Sequence, residues 1–276
     1  MKKLNSILAS LTLASALARG QEAKPIEGPP MTLGISPLRA ELKMGAGIET
    51  TQAVRISNTG QVATQIRVTL SDWTLSPSGE QQFVKMGSGT WGCGAWLKAN
   101  PLEFSLAPGA TELVRYTMKA PASIPEGGYH CAVVFDTLPP PREQLAAGTG
   151  VVNLVRLVTT LYVGIGNPPI VAKVKRLEVV PHTAGKKTTY EILTTFGNEG
   201  TTQYRVNGTL ELTDSAGQVV HKFEYRSFPV LPLVDRVERF RLDEPLAPGA
   251  YKVRAVVDVG LSERLAAETK LTVEGS

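Results

Sequence analysis

The side chains able to do chemistry are few and scattered along these 276 residues. The three histidines, His130, His182 and His221, lie far apart, and none belongs to a ligand-spaced group. A zinc centre or a histidine acid/base pair is therefore not expected. No Gly-x-Ser-x-Gly elbow, Walker loop or dinucleotide fingerprint occurs. Gly148-Thr149-Gly150 lacks the continuation that would cradle a phosphate. No catalysis, no cofactor and no small-molecule substrate is expected.

Two stretches invite a binding role instead. In Ile35-Ser36-Pro37-Leu38-Arg39-Ala40-Glu41-Leu42 a guanidinium, Arg39, occupies the middle of an opening strand, where the plain alternative is a solvated surface charge. Gly150 to Val163 is nearly continuous in apolar residues. Such a strand is either buried on both faces or an edge kept for a partner.

The first segment, residues 1–18, opens with Lys2 and Lys3, continues through an apolar stretch from Ile7 to Leu17 and ends in Ala16-Leu17-Ala18. This is the pattern of a secretory signal cut after Ala18; the stretch is shorter than the roughly 20 apolar residues that a membrane span requires. Removing it takes 29 basic residues to 27 against 25 acidic ones, so the formal charge falls from +4 to +2. Acidic and basic residues alternate, with no basic stripe carrying interleaved aromatics, so nucleic acid is not an expected partner. In an exported chain the two cysteines, Cys93 and Cys131, read first as a disulfide. Their separation, 131 − 93 = 38 residues, would give about 4 kcal/mol through loop entropy. Two buried free thiols are the alternative.

These residues must be carried by strands. Short runs of Val, Ile, Thr and Tyr recur between Gly, Pro, Asn and Asp, and no dozen residues beyond the signal show helical apolar spacing. Thr51 to Ile56 turns Val54 and Ile56 to one face, the turn Ser57-Asn58-Thr59-Gly60 follows, and Gln65 to Leu70 places Ile66, Val68 and Leu70 together. The chain also echoes itself: Asn58-Thr59-Gly60 matches Asn198-Glu199-Gly200, and the strand opening at Gly127-Gly128-Tyr129 matches the one at Gly249-Ala250-Tyr251. Two copies of one sandwich explain the echo. Tyr129, two residues before Cys131, has the tyrosine-corner spacing of immunoglobulin-like folds. Gly164-Ile165-Gly166-Asn167-Pro168-Pro169 reads as a short, stiff elbow between the copies. The expectation is an all-β chain of two tandem immunoglobulin-like β-sandwich domains after a cleaved signal peptide: residues 1–18 signal, 19–31 linker, 32–166 first domain, 167–276 second domain.

With these motifs in view the chain resembles the periplasmic pilus-assembly chaperones, the PapD-like family, over roughly residues 32 to 166 and more loosely beyond. Leu38-Arg39-Ala40 is similar to that family's first strand, and Arg55-Ile56-Ser57-Asn58 to its second strand and turn. Pro101-Leu102-Glu103-Phe104-Ser105-Leu106-Ala107-Pro108-Gly109 with Val114-Arg115 resembles its Pro, Leu, Pro-Gly, Val-Arg pattern. Phe135-Asp136-Thr137-Leu138-Pro139-Pro140 resembles the end of its sixth strand. The resemblance implies a periplasmic location, exported pilin-like or surface subunits as partners, and an outer-membrane usher as a further one. It also implies strand addition, in which backbone bonds give affinity and alternate side chains fill the client. The donor row would be Val151, Asn153, Val155 and Leu157, approached through Gln144 to Gly150. Asn153 departs from an apolar row. The family's carboxylate clamp would use Arg39, with Thr160 standing where the family has a Lys. A structural or adhesive envelope protein, in which Gly150 to Val163 completes the first core, is the second reading.

Overall fold

The computed structural model describes residues 33–139, 154–185 and 187–275. The expected signal and linker, and Val151, Asn153 and the approach from Gln144 to Gly150, lie outside the described residues.

Among the described residues ten strands precede Gly166: β1 (Leu33–Ser36), β2 (Arg39–Met44), β3 (Glu49–Asn58), β4 (Thr64–Leu75) and β5 (Gln81–Val84), then β6 (Leu97–Asn100), β7 (Glu103–Leu106), β8 (Thr111–Lys119), β9 (Gly127–Thr137) and β10 (Arg156–Ile165). One sheet runs β1-β3-β8-β6; the other runs β2-β10-β9-β4-β5, with β7 also paired to β4. The period of two puts Val54 and Ile56 of β3, Ile66 and Val68 of β4, and Val114, Tyr116 and Met118 of β8 into the space between the sheets, all buried. Each such side chain contributes about 1.5–3 kcal/mol of burial. Strand β4 outruns its expected end at Leu70 and reaches Leu75.

At Pro37 and Leu38 the chain changes sheets. β1 pairs antiparallel with β3, whereas β2 pairs parallel with β10, Thr160 facing Arg39 and Ile165 facing Met44. The first strand thus closes one side of the sandwich by serving both layers.

Seven strands follow: β11 (Ala172–Ala184), β12 (Lys187–Asn198), β13 (Tyr204–Thr213), β14 (Val219–Val230), β15 (Asp235–Leu242), β16 (Gly249–Asp258) and β17 (Leu265–Val273). They form the sheets β11-β12-β15 and β14-β13-β16-β17 around a second core of Ile192, Phe196, Val206, Leu210, Leu212 and Val253. The protein is therefore two immunoglobulin-like sandwiches in tandem.

The internal echo is physical. Asn58 donates through Nδ2 to the carbonyls of Val62 and Leu106 and accepts from the Gly60 amide. Asn198 repeats this with Thr202, Val230 and Gly200. Tyr129 and Tyr251 each donate to a carbonyl four residues upstream, Pro125 and Ala247. In both copies a buried amide ends one strand and a phenol pins a crossing loop.

Cys93 and Cys131 form a disulfide with Cα atoms 5.1 Å apart. The bridge ties β9 to the loop before β6. Buried Asp72 fixes the same loop, its carboxylate accepting from the amides of Gly87 and Gly94 at 2.6 Å each. A Cβ on Gly92 would collide with that carboxylate.

Candidate functional site

The outer face of the β2-β10-β9-β4-β5 sheet turns toward the second domain. Trp73 of β4, Ala132 and Val134 of β9 and Tyr162 of β10 are buried there against Leu231, from the turn after β14. Trp73 donates through Nε1 to the Cys131 carbonyl at 2.8 Å and meets Tyr162 edge-on at 5.3 Å. His130, the Cα partner of Tyr162, meets Trp73 edge-on at 5.1 Å. Burial holds the His130 imidazole down at a pKa of about 4, and the backbone of Gly128 offsets only part of the cost of charging it.

Glycines let the domains close. The Gly128 amide donates to the Thr201 carbonyl at 2.7 Å. A Cβ on Gly128 would collide with the Gln203 side chain, and one on Gly127 would crowd the Thr201 carbonyl at 3.0 Å. At the other end the Val237 amide of β15 donates to the Pro77 carbonyl, in the turn between β4 and β5, at 2.7 Å. Gly79 in that turn, at φ +88°, leaves room for the Arg236 guanidinium.

Arg39 lies on the cleft side of β2, opposite Thr160 in register. Its Nε is 3.3 Å from Glu41 Oε1, and both side chains are about half exposed. Beside them opens a cleft of about 440 Å³ bounded by Glu41, Tyr162, Gln203, Arg205 and Asp258. Burial raises the Tyr162 phenol, and Arg205 and then Arg39 oppose that rise. Guanidiniums of both domains thus act on one phenol. Arg205 reached this cleft unanticipated; its only sequence signal is one Arg on a β13 whose other face is apolar. Thr160 brings a hydroxyl to the Leu38 carbonyl, and Thr159 donates to the Pro37 carbonyl. Among the described residues, no group of three His, Cys, Asp or Glu side chains stands together as a metal site.

The described part of the apolar stretch divides in two. From Thr160 to Ile165, β10 lies between β9 and β2, with Leu161 and Val163 in the first core and Tyr162 against the second domain. From Arg156 to Thr159 it pairs, among the described residues, with β9 alone. The stretch is buried on both faces after Thr160, and before it is bonded along one side only among the described residues. Val155 exchanges bonds with Thr137, its amide donating to Oγ1 and its carbonyl accepting from the Thr137 amide. Leu157 packs partly against the first core, Leu154 is exposed, and Arg156 makes a bidentate pair with Asp136, 2.6 Å at its shorter contact. Arg39 and Thr160 come together; Leu157 lies three residues before Thr160 on β10, and Val155 five residues before it, just ahead of the strand.

No family model matches the sequence, and no curated protein matches it. Solved structures do. The chain is similar to a chaperone and tip-adhesin complex of CFA/I fimbriae biogenesis, at 16% identity and a TM-score of 0.49, over 86% of this chain and 98% of that one. It is similar to the class 5 fimbriae chaperone CfaA, at 16% identity and a TM-score of 0.45, with the same coverage. A third likeness is to the CsuC–CsuE chaperone and tip-subunit complex of archaic Csu pili from Acinetobacter baumannii. There the identity is 14% and the TM-score 0.43, over 86% and 97% of the two chains.

Proposed function

We propose that this protein is an exported, periplasmic chaperone-like binder that caps the open edge of a pilin-like or surface subunit by strand addition. One observation carries the reading: among the described residues, β10 is an edge strand from Arg156 to Thr159 and an interior strand from Thr160 onward. A client strand laid along the first half would gain backbone bonds without disturbing the sandwich. It would run up to Arg39, whose present partner, Glu41, is an exposed one that itself borders the cleft. An exposed pair of this kind is worth at most about 1 kcal/mol, so a client carboxylate could replace it. Export is supported by the Cys93–Cys131 bridge, which suits an oxidising compartment. The motif resemblance supports the subunit class and extends the proposal to an outer-membrane usher. A non-enzymatic role fits both. Residues 32–166 as the binding domain and 167–276 as its brace complete the proposal.

A structural or adhesive role is favoured by one fact: Leu157 rests on the first core and Arg156 is tied to Asp136, so this edge already has work within the domain. Affinity isolation of the mature protein from periplasm, with identification of what it holds, separates the two. Capture of exported subunits in a one-to-one complex supports the chaperone reading, and recovery of the protein alone supports the structural one.

A further inference from the structure

The second domain has an open edge of its own. β14 ends its sheet, bonded on one side only to β13 among the described residues. Beside it a groove of about 720 Å³ opens toward β15, floored by Phe223, Phe228 and Phe240. Phe223 and Phe240 stack at 5.0 Å and are only partly buried. An edge with a half-covered aromatic row is a template for another strand.

We infer that the occupant is a second copy of this chain, pairing β14 antiparallel to β14 about a two-fold axis at Phe223. Charge and register argue for it. Irregularities near Val220 and near Arg226 and Ser227 leave His221 to Tyr225 as the evenly paired run, with Phe223 at its centre. Antiparallel pairing about Phe223 sets Phe223 against its twin and Lys222 against the second copy's Glu224, twice by symmetry. Cross-strand opposite charges and aromatic pairs both favour this. Pairing about Glu224 would instead set Lys222 against Arg226, two like charges. Pairing about Tyr225 would run into the irregular stretch, where Ser227 has φ +34°. Within its own chain Lys222 meets Glu211 at 2.8 Å, while Glu224 lies opposite Thr209 and is in no ion pair among the described residues. The second copy's Lys222 would supply its partner. The short run makes a weak, concentration-dependent dimer, and it lies apart from β10, so it stands whether or not the chaperone reading does.

Sedimentation equilibrium of the mature protein across micromolar concentrations is the test, with two charge variants. Glu224→Lys and Lys222→Glu each put like charges face to face in the dimer, and each should weaken self-association roughly tenfold or more. Mixed together they should associate again, because both positions are then basic in one chain and acidic in the other. Phe223→Cys, oxidised, should give a covalent dimer even if a charge variant fails to fold. A wild type that stays monomeric, variants that dimerise unchanged, a mixture that does not recover, or a Phe223→Cys protein that fails to cross-link would overturn the inference. Binding of a foreign strand at this edge with no self-association would overturn it as well.

Discussion

Arg39 carries the most specific expectation among single residues. Its neighbours are a same-strand acid, a hydroxyl at Thr160 and a phenol shared with Arg205, so it is free to exchange Glu41 for a client's oxygens. Arg39→Ala should weaken client binding by about 1.5–3 kcal/mol, the usual worth of a hydrogen bond to a charged group, with the melting temperature unchanged. A titration of purified client against both proteins checks it. His130 makes a different prediction. Its folded pKa of about 4 lies below the ordinary 6.5, so between those values the unfolded chain binds the extra proton and stability rises with pH. As pH falls from about 6.5 toward 4 the protein should lose on the order of 3 kcal/mol, with the loss ending below 4. Denaturant midpoints measured along that range should fall for the wild type and fall less for His130→Phe.

At the scale of strands and loops, the bridge and Asp72 act on the same loop. Reducing Cys93–Cys131 should cost roughly 2–4 kcal/mol, read as a lower midpoint in denaturant with a steeper slope, because the uncrosslinked unfolded chain exposes more surface. Much of this level was legible in the sequence. Asn58 and Asn198, Tyr129 and Tyr251 work through partners four residues away, so their spacing records their geometry. The alternation in β3 and β4 likewise names its buried face without knowledge of the neighbours. The cover of β10 was not legible. It comes from β2 and from Pro37 and Leu38 just before it, 122 residues away from the threonines they bind, and whether a strand is edge or interior depends on that distant partner. Trp73, Tyr162 and Leu231 escaped for the same reason: each sits on an apolar site made by another element.

At the scale of the whole molecule, the two sandwiches are held by a small apolar seam and by glycines that permit close approach, so their relative placement shapes the cleft beside Arg39. Gly128→Val should force Gln203 away, break the bond to Thr201 and open the seam. Small-angle scattering should then report a larger radius of gyration while circular dichroism stays that of folded sheets. The central claim is that the opening of β10, with Val155 immediately before it, is kept for a client, and Val155→Glu tests it directly by pairing a thermal melt with client capture from periplasm. A charge placed in a client's apolar groove abolishes capture and leaves the domain folded. The account predicts a near-normal melt with capture lost. If Val155 instead serves the first core, the buried carboxylate costs several kcal/mol against a total of about 5–15, and the variant unfolds. A clear loss of folding, or capture that survives the substitution, would contradict the account.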